Sequence, residues 1–88
     1  MIRRRVVVHG HVQGVFFRDS TRQRAQAAGV TGWVANRPGG TVEAVFEGDD
    51  EAVEGLVRWM HEGPRGADVE RVAVDEEEPE GLTGFEVR

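Results

Sequence analysis

The sequence predicts an α+β fold: two helices packed on one face of an antiparallel sheet, in the order β-α-β-β-α-β. Three observations predict it. Two segments carry helical periodicity, four carry the β-branched or alternating pattern of strands, and glycine- or proline-containing turns separate them. With 88 residues, the chain is expected to form a single domain over 1–88, because so short a chain supports only one core.

Residues 4–9 contain Val6, Val7 and Val8 and read as the first strand. Consecutive valines imply cover on both faces, hence a central strand. His9 is expected to point inward. Gly10-His11-Val12-Gln13-Gly14 breaks the pattern and reads as a loop. From Phe17 or Arg18 to Ala28 the sequence favours helix, with Asp19 in the first turn, several alanines, and Gly29 as a stop. Phe17, Thr21, Ala25 and Ala28 share one face, small enough to lie close to a sheet.

Residues 30–36 read as a second strand, Arg37-Pro38-Gly39-Gly40 as a turn, and residues 41–47 as a third strand. In the third, Val42, Ala44 and Phe46 alternate with Glu43, Val45 and Glu47, so one face is expected to be drier. Asp49 and Asp50 are N-cap candidates for a second helix. Its stripe is Ala52, Val53, Leu56, Val57 and Met60, and Gly63-Pro64 ends it. Residues 69–74 give a fourth strand, and residues 85–87 are long enough for a short fifth. The acidic run from Asp75 to Glu80 reads as a solvated loop or strand end. Right-handed crossovers place strands 1 and 3 in the middle of the sheet.

Net charge is −5, which disfavours nucleic acid and anionic membranes as partners. There is no cysteine, so no thiolate nucleophile or zinc ribbon is available. No metal site or cofactor is expected. All 11 basic residues are Arg, so any anion site must use guanidinium and backbone N–H groups. No apolar run approaches the roughly 20 residues that span a membrane, and the basic-then-apolar start is too short for a signal peptide. A cytoplasmic monomer acting on a small molecule is the expectation.

The connection between strand 1 and helix 1 carries the chemistry. Its glycines let the chain curl so that successive N–H groups point inward, and a helix N-terminus lies behind them, as anion sites require. Arg18 follows at once and could grip two phosphate oxygens. Read from spacing alone, the same residues also make a plain βα turn with a surface arginine. It is neither a Walker loop nor a dinucleotide fingerprint. Asn36, at the end of strand 2, reads either as a turn starter or as an amide that orients a water.

Gly10-His11-Val12-Gln13-Gly14-Val15-Phe16-Phe17-Arg18 resembles the acylphosphatase signature Gly-x-Val-Gln-Gly-Val-x-Phe-Arg. Gly32-Trp33-Val34-Ala35-Asn36, followed after three residues by Gly40-Thr41-Val42 and after five more by Gly48, is similar to that family's second signature. The resemblance covers the whole chain in length and element order. It implies a ferredoxin-like sandwich that hydrolyses acyl phosphates without metal or cofactor. It implies further that backbone N–H groups from Val12, Gln13, Gly14, Val15, Phe16 and Phe17 cradle the phosphoryl group. Arg18 would bind its oxygens, and Asn36 would position the attacking water. Ser20 stands where many relatives carry an aromatic, a change expected to alter packing near the site.

The chemistry asks for little more. The leaving carboxylate has a conjugate acid of pKa roughly 4, so no general acid is needed. His9 and His11 are the only candidates for a general base, and otherwise the phosphate itself takes the water's proton. Two other readings compete. RNA-recognition modules share this element order, but they place stacking aromatics on strands 1 and 3, where this chain has valines and His9. A phosphate-binding module without turnover would keep the loop and lack hydrolysis.

Overall fold

The computed structural model describes all of residues 1–88. Seven elements follow one another: β1 (Ile2–His11), α1 (Phe17–Ala27), β2 (Thr31–Asn36), β3 (Val42–Gly48), α2 (Asp50–Met60), β4 (Asp68–Glu77) and β5 (Phe85–Val87). They build one sheet in the order β4-β1-β3-β2-β5. As expected, β1 and β3 are central. Every pairing is antiparallel except that of β5, which runs parallel to β2.

Both helices pack on one face. The buried core there joins Val6 and Val8 of β1, Val34 of β2, and Val42, Ala44 and Phe46 of β3 to Phe17 and Ala25 of α1 and Val53, Leu56 and Met60 of α2. Alternation along the strands selects these side chains, because residues two apart share a face. Phe46 and Phe85 stack with centroids 5.9 Å apart, which ties β5 to the same core.

Several boundaries differ from those the sequence predicts. β1 continues through Gly10 and His11, with a bulge at His9/Gly10 in its ladder to β4. Gly10 takes φ 132°, and a Cβ there would come within 2.1 Å of the Asp68 carbonyl oxygen; only glycine lets the two backbones approach so closely. His9 does not point inward. It lies on the face away from the helices, with Arg71 about 3.3 Å from its ring. Ala28 is exposed because α1 ends at Ala27 in a Schellman motif: Val30 N–H donates to the Ala25 carbonyl and Gly29 N–H to that of Gln26. Asp49 occupies the N-cap of α2, but its side chain makes no capping bond.

The largest difference concerns the outer face of the sheet. Glu47 and Val45 were expected on the wetter side of β3, yet both are fully buried. The cause is the segment from Glu78 to Gly84. It must travel from the β4 edge to β5 at the opposite edge, so it straps across the outer face. Glu47 anchors it, accepting hydrogen bonds from the N–H groups of Glu80 (2.7 Å), Gly81 (3.1 Å) and Leu82 (3.0 Å). Leu82 then packs over Trp33, Ala35 and Val45. Arg3, itself 4 % exposed, donates to Glu47 at 2.7 Å and to Glu77 at 2.8 Å. The first half of the acidic run is thus the strand end of the two expected alternatives: β4 continues to Glu77, and Glu77 receives both Arg3 and Arg5.

Burial pushes the Glu47 carboxyl up, but the bonds from the Glu80 N–H, Arg3 and the Leu82 and Gly81 N–H groups outweigh it and hold the group below its usual range. Burial likewise opposes, and Arg37 and Arg5 overcome, at Glu43. Arg5 and Arg3 lower Glu77 against a smaller desolvation. Depressed carboxylates stabilise the fold above their unfolded value and lose that contribution as pH falls through the folded one. Urea unfolding followed across pH should therefore show stability level above about pH 5 and falling below roughly pH 4.3, the ordinary Glu value. Glu47→Gln, which takes the fully buried carboxylate away from Arg3 and leaves it Glu77, should lower stability at neutral pH by about 2 kcal/mol and remove part of the acid slope.

Candidate active site

The connection from β1 to α1 is pinned at both ends by apolar side chains. Val12 and Phe17 are buried in the core, and Phe17 packs against Trp59 with centroids 5.6 Å apart. Gln13, Gly14, Val15 and Phe16 arch between these anchors. Gly14 has φ 76° and Phe16, the N-cap of α1, has φ 61° and ψ 26°. Left-handed residues flanking Val15 turn successive N–H groups to one side, the geometry of an anion nest. Phe16 is the single non-glycine residue at positive φ, at a cost of roughly 1–2 kcal/mol.

No side chain caps α1. The first intrahelical bond is Ser20 N–H to the Phe16 carbonyl, so the N–H groups of the preceding turn are left for an external acceptor. The positive end of the helix lies behind them. Arg18 stands in this first turn and is half-buried. Its Nη1 donates to the Arg88 backbone oxygen at 2.9 Å, which fixes one end of the guanidinium. Asn36 ends β2 and is two residues from Val34, whose side chain is in the helix-side core; Asn36 therefore faces the same side. None of the side-chain hydrogen bonds within the chain uses the Asn36 amide.

Arg18 and Asn36 line one cleft of about 460 Å³ with Val12, Gly14, Phe16 and Phe17, and with Asp19, Arg22 and Val87. Of the expected loop residues, Gln13 and Val15 do not line it. Gln13 does something else: its Nε2 donates to the carbonyls of Arg37 and Thr41, each at 2.8 Å. It ties the loop to the turn that follows Asn36. His9 and His11 stay outside the cleft, as does Ser20, so the aromatic-to-serine change does not touch the site wall.

Three wall residues were not singled out from the sequence. Arg22 is four residues after Arg18, a spacing that puts both on one helix face and could have indicated it. Its Nη2 holds Asp19 at 2.7 Å, and Gln23 donates to the same carboxylate at 3.0 Å. Val87 arrives by the parallel pairing of β5 with β2, and no local pattern announces that.

The family model for acylphosphatase matches residues 4–87. The chain belongs to the acylphosphatase family. It is 65 % identical to the acylphosphatase of Rubrobacter xylanophilus over 96 % of this chain and 77 % of that protein. It is 59 % identical to that of a Nostoc species, over 100 % of this chain and 87 % of that one. The crystal structure of acylphosphatase from Bacillus subtilis superposes with a TM-score of 0.96 at 34 % identity, covering 100 % of this chain and 99 % of that one. Full-length HypF in its phosphate- and nucleotide-bound form matches 99 % of this chain with 12 % of its own length, at TM-score 0.91 and 27 % identity. The acylphosphatase unit thus occurs both nearly alone and within a much longer chain.

Beside this cleft, Gln13 links the β1–α1 loop to the turn that follows Asn36. Gln13→Ala should lower kcat/KM for an acyl phosphate about tenfold, while changing stability by only about 1 kcal/mol, the net worth of such bonds. Steady-state kinetics beside urea unfolding would separate the two effects.

Proposed function

We propose that residues 1–88 act as one catalytic unit that hydrolyses acyl phosphates to a carboxylate and inorganic phosphate, by attack of water on phosphorus without a metal ion. The observation that carries this reading is the uncapped N-terminus of α1 sharing one cleft with Arg18 and with the Asn36 amide.

The phosphoryl group sits against the N–H groups of the loop from Val12 to Phe17, where oriented donors and the helix end meet its negative oxygens. Arg18 adds a charge-assisted pair of donors. These donors are already fixed before substrate arrives, so they need not reorganise as charge shifts in the transition state. Asn36 accepts from the water and holds its oxygen in line with the bond that breaks. The new P–O bond forms from water. The bond to the acyl oxygen breaks, and its electron pair leaves with the carboxylate. The leaving group has a conjugate acid of pKa roughly 4, so no proton need be delivered to it. The water's proton passes to a phosphoryl oxygen. Phosphoryl transfer of this kind asks for position and charge stabilisation rather than covalent help.

One feature of the chain supports the metal-free form: Arg18 supplies cationic charge in the cleft. No helix is long and apolar enough to cross a membrane. The proposed enzyme is cytoplasmic and works as a monomer on small diffusible substrates, and its net charge of −5 disfavours a nucleic-acid partner.

The deciding experiment is hydrolysis of benzoyl phosphate in EDTA by wild type and Arg18→Ala, corrected for spontaneous decay. Wild-type turnover should survive EDTA, and the variant should lose at least about 100-fold in kcat together with a raised KM, since Arg18 serves bound phosphate and transition state alike. No turnover by folded wild type would leave a phosphate-binding module instead. Asn36→Ala should lower kcat about 100-fold with little change in KM, because a misplaced water costs rate and not affinity. His9→Ala and His11→Ala should each keep kcat within about twofold; a larger loss in either would return the proton to a histidine.

A further inference from the structure

Every acyl phosphate offers the cradle the same phosphoryl group. Discrimination among them must come from whatever meets the acyl side. That side lies opposite the attacking water in an in-line displacement.

Four large apolar side chains of the chain are exposed: Met1, Phe16, Val74 and Val87. Two of the four, Phe16 and Val87, line this cleft. Phe16 is 82 % exposed and sits at the loop's left-handed N-cap position, with φ 61°. Its ring therefore gains nothing from the core, and its backbone is in a conformation that glycine or asparagine would adopt at less cost. Strain and exposure combined at the wall of a site point to use by a ligand. Val87 approaches from β5, a different element. Charged groups of the same wall already have partners: Arg22 holds Asp19, and Arg18 donates to the Arg88 backbone oxygen.

We infer that the side chains of Phe16 and Val87 form an apolar platform that selects acyl phosphates whose acyl group presents a flat aromatic or branched apolar face over small or charged acyl groups. This rests on the hydrolytic reading above. It assigns Phe16 a second role: its N–H belongs to the cradle, while its ring reads the acyl group. An aromatic acyl group stacked against the ring removes apolar area of both from water. The contact is made in substrate and transition state alike, so it should lower KM more than it raises kcat.

The test is the ratio of kcat/KM for benzoyl phosphate to that for acetyl phosphate, measured for wild type, Phe16→Asn, Phe16→Gly and Val87→Thr. Asparagine tolerates the left-handed backbone and keeps a Cβ, so it removes the ring while limiting the change in loop flexibility that glycine brings. Wild type should favour benzoyl phosphate. Phe16→Asn and Phe16→Gly should both reduce the ratio about tenfold, chiefly through the benzoyl KM, whatever change the two substrates share. Val87→Thr should reduce it about threefold without touching the loop. The platform is overturned if both substrates fall in parallel, leaving the ratio within twofold of wild type, because Phe16 would then act only through the shape of the cradle. Failure of wild type to hydrolyse either substrate would overturn the platform together with the hydrolytic reading. That result is distinct from an unchanged ratio in an active enzyme.

Discussion

The arrangement depends on where a single buried carboxylate points. Glu47 lies in the middle of the sheet's outer face, fully enclosed, and gathers one guanidinium and three consecutive N–H groups. An isolated carboxylate in that position would be strongly disfavoured. With these four partners it becomes the point at which the chain, leaving β4 at one edge, is held flat across β1, β3 and β2. Held there, the strap brings β5 to the far edge, where Phe85 packs into the core and the strand pairs in parallel with β2. That pairing delivers Val87 to the cleft and the Arg88 carbonyl to Arg18. A structural ion pair on one face of the sheet thus sets one wall of the site on the other. The Glu47 cluster is not near the reacting atoms; its influence passes through the position of a strand.

The cradle is built on the opposite principle, leaving groups unsatisfied where they will be needed. Helix N-termini are ordinarily closed by a side-chain cap, and α1 is not. Closing it with serine or aspartate at position 16 would stabilise the helix and occupy the donors that an anion requires. The loop instead takes its rigidity from elsewhere: Val12 and Phe17 in the core, and Gln13 bonded to the turn beyond Asn36. Donors are held still without being used, which is what preorganisation means in a site whose work is electrostatic.

How much of this was legible in the sequence follows from the range of the interactions involved. Elements with a local period were readable: the α2 stripe, the β3 alternation and the valines of β1 all depend on residues a few positions apart. The loop of the proposed cradle was readable as a turn into a helix, because its glycines, its helix start and Arg18 are contiguous. What escaped was set by distant partners. Glu47 alternates like a solvent-facing residue, and only the strap more than thirty residues later buries it. The acidic run reads as a solvated loop or strand end; the strand end is right, but its cations, Arg3 and Arg5, lie at the other end of the chain and no local pattern announces them. His9 follows three valines and was expected inward with them, but strict alternation from the core residues Val6 and Val8 puts it on the other face. Val87 could not be assigned to the site without knowing that β5 runs parallel to β2.

The same division explains how so small a chain can combine a general chemistry with a particular choice of substrate. In the proposed mechanism everything that handles phosphorus is backbone, Arg18 or Asn36, and is indifferent to what the phosphate is attached to. The residues that could be selective are the ones that contribute little to the fold: Phe16, strained and exposed, and Val87, on a three-residue edge strand. Positions that neither the core nor the cradle constrains through their side chains can vary at little cost to stability. A scaffold arranged this way can change the acyl group it prefers without rebuilding the machinery that breaks the bond.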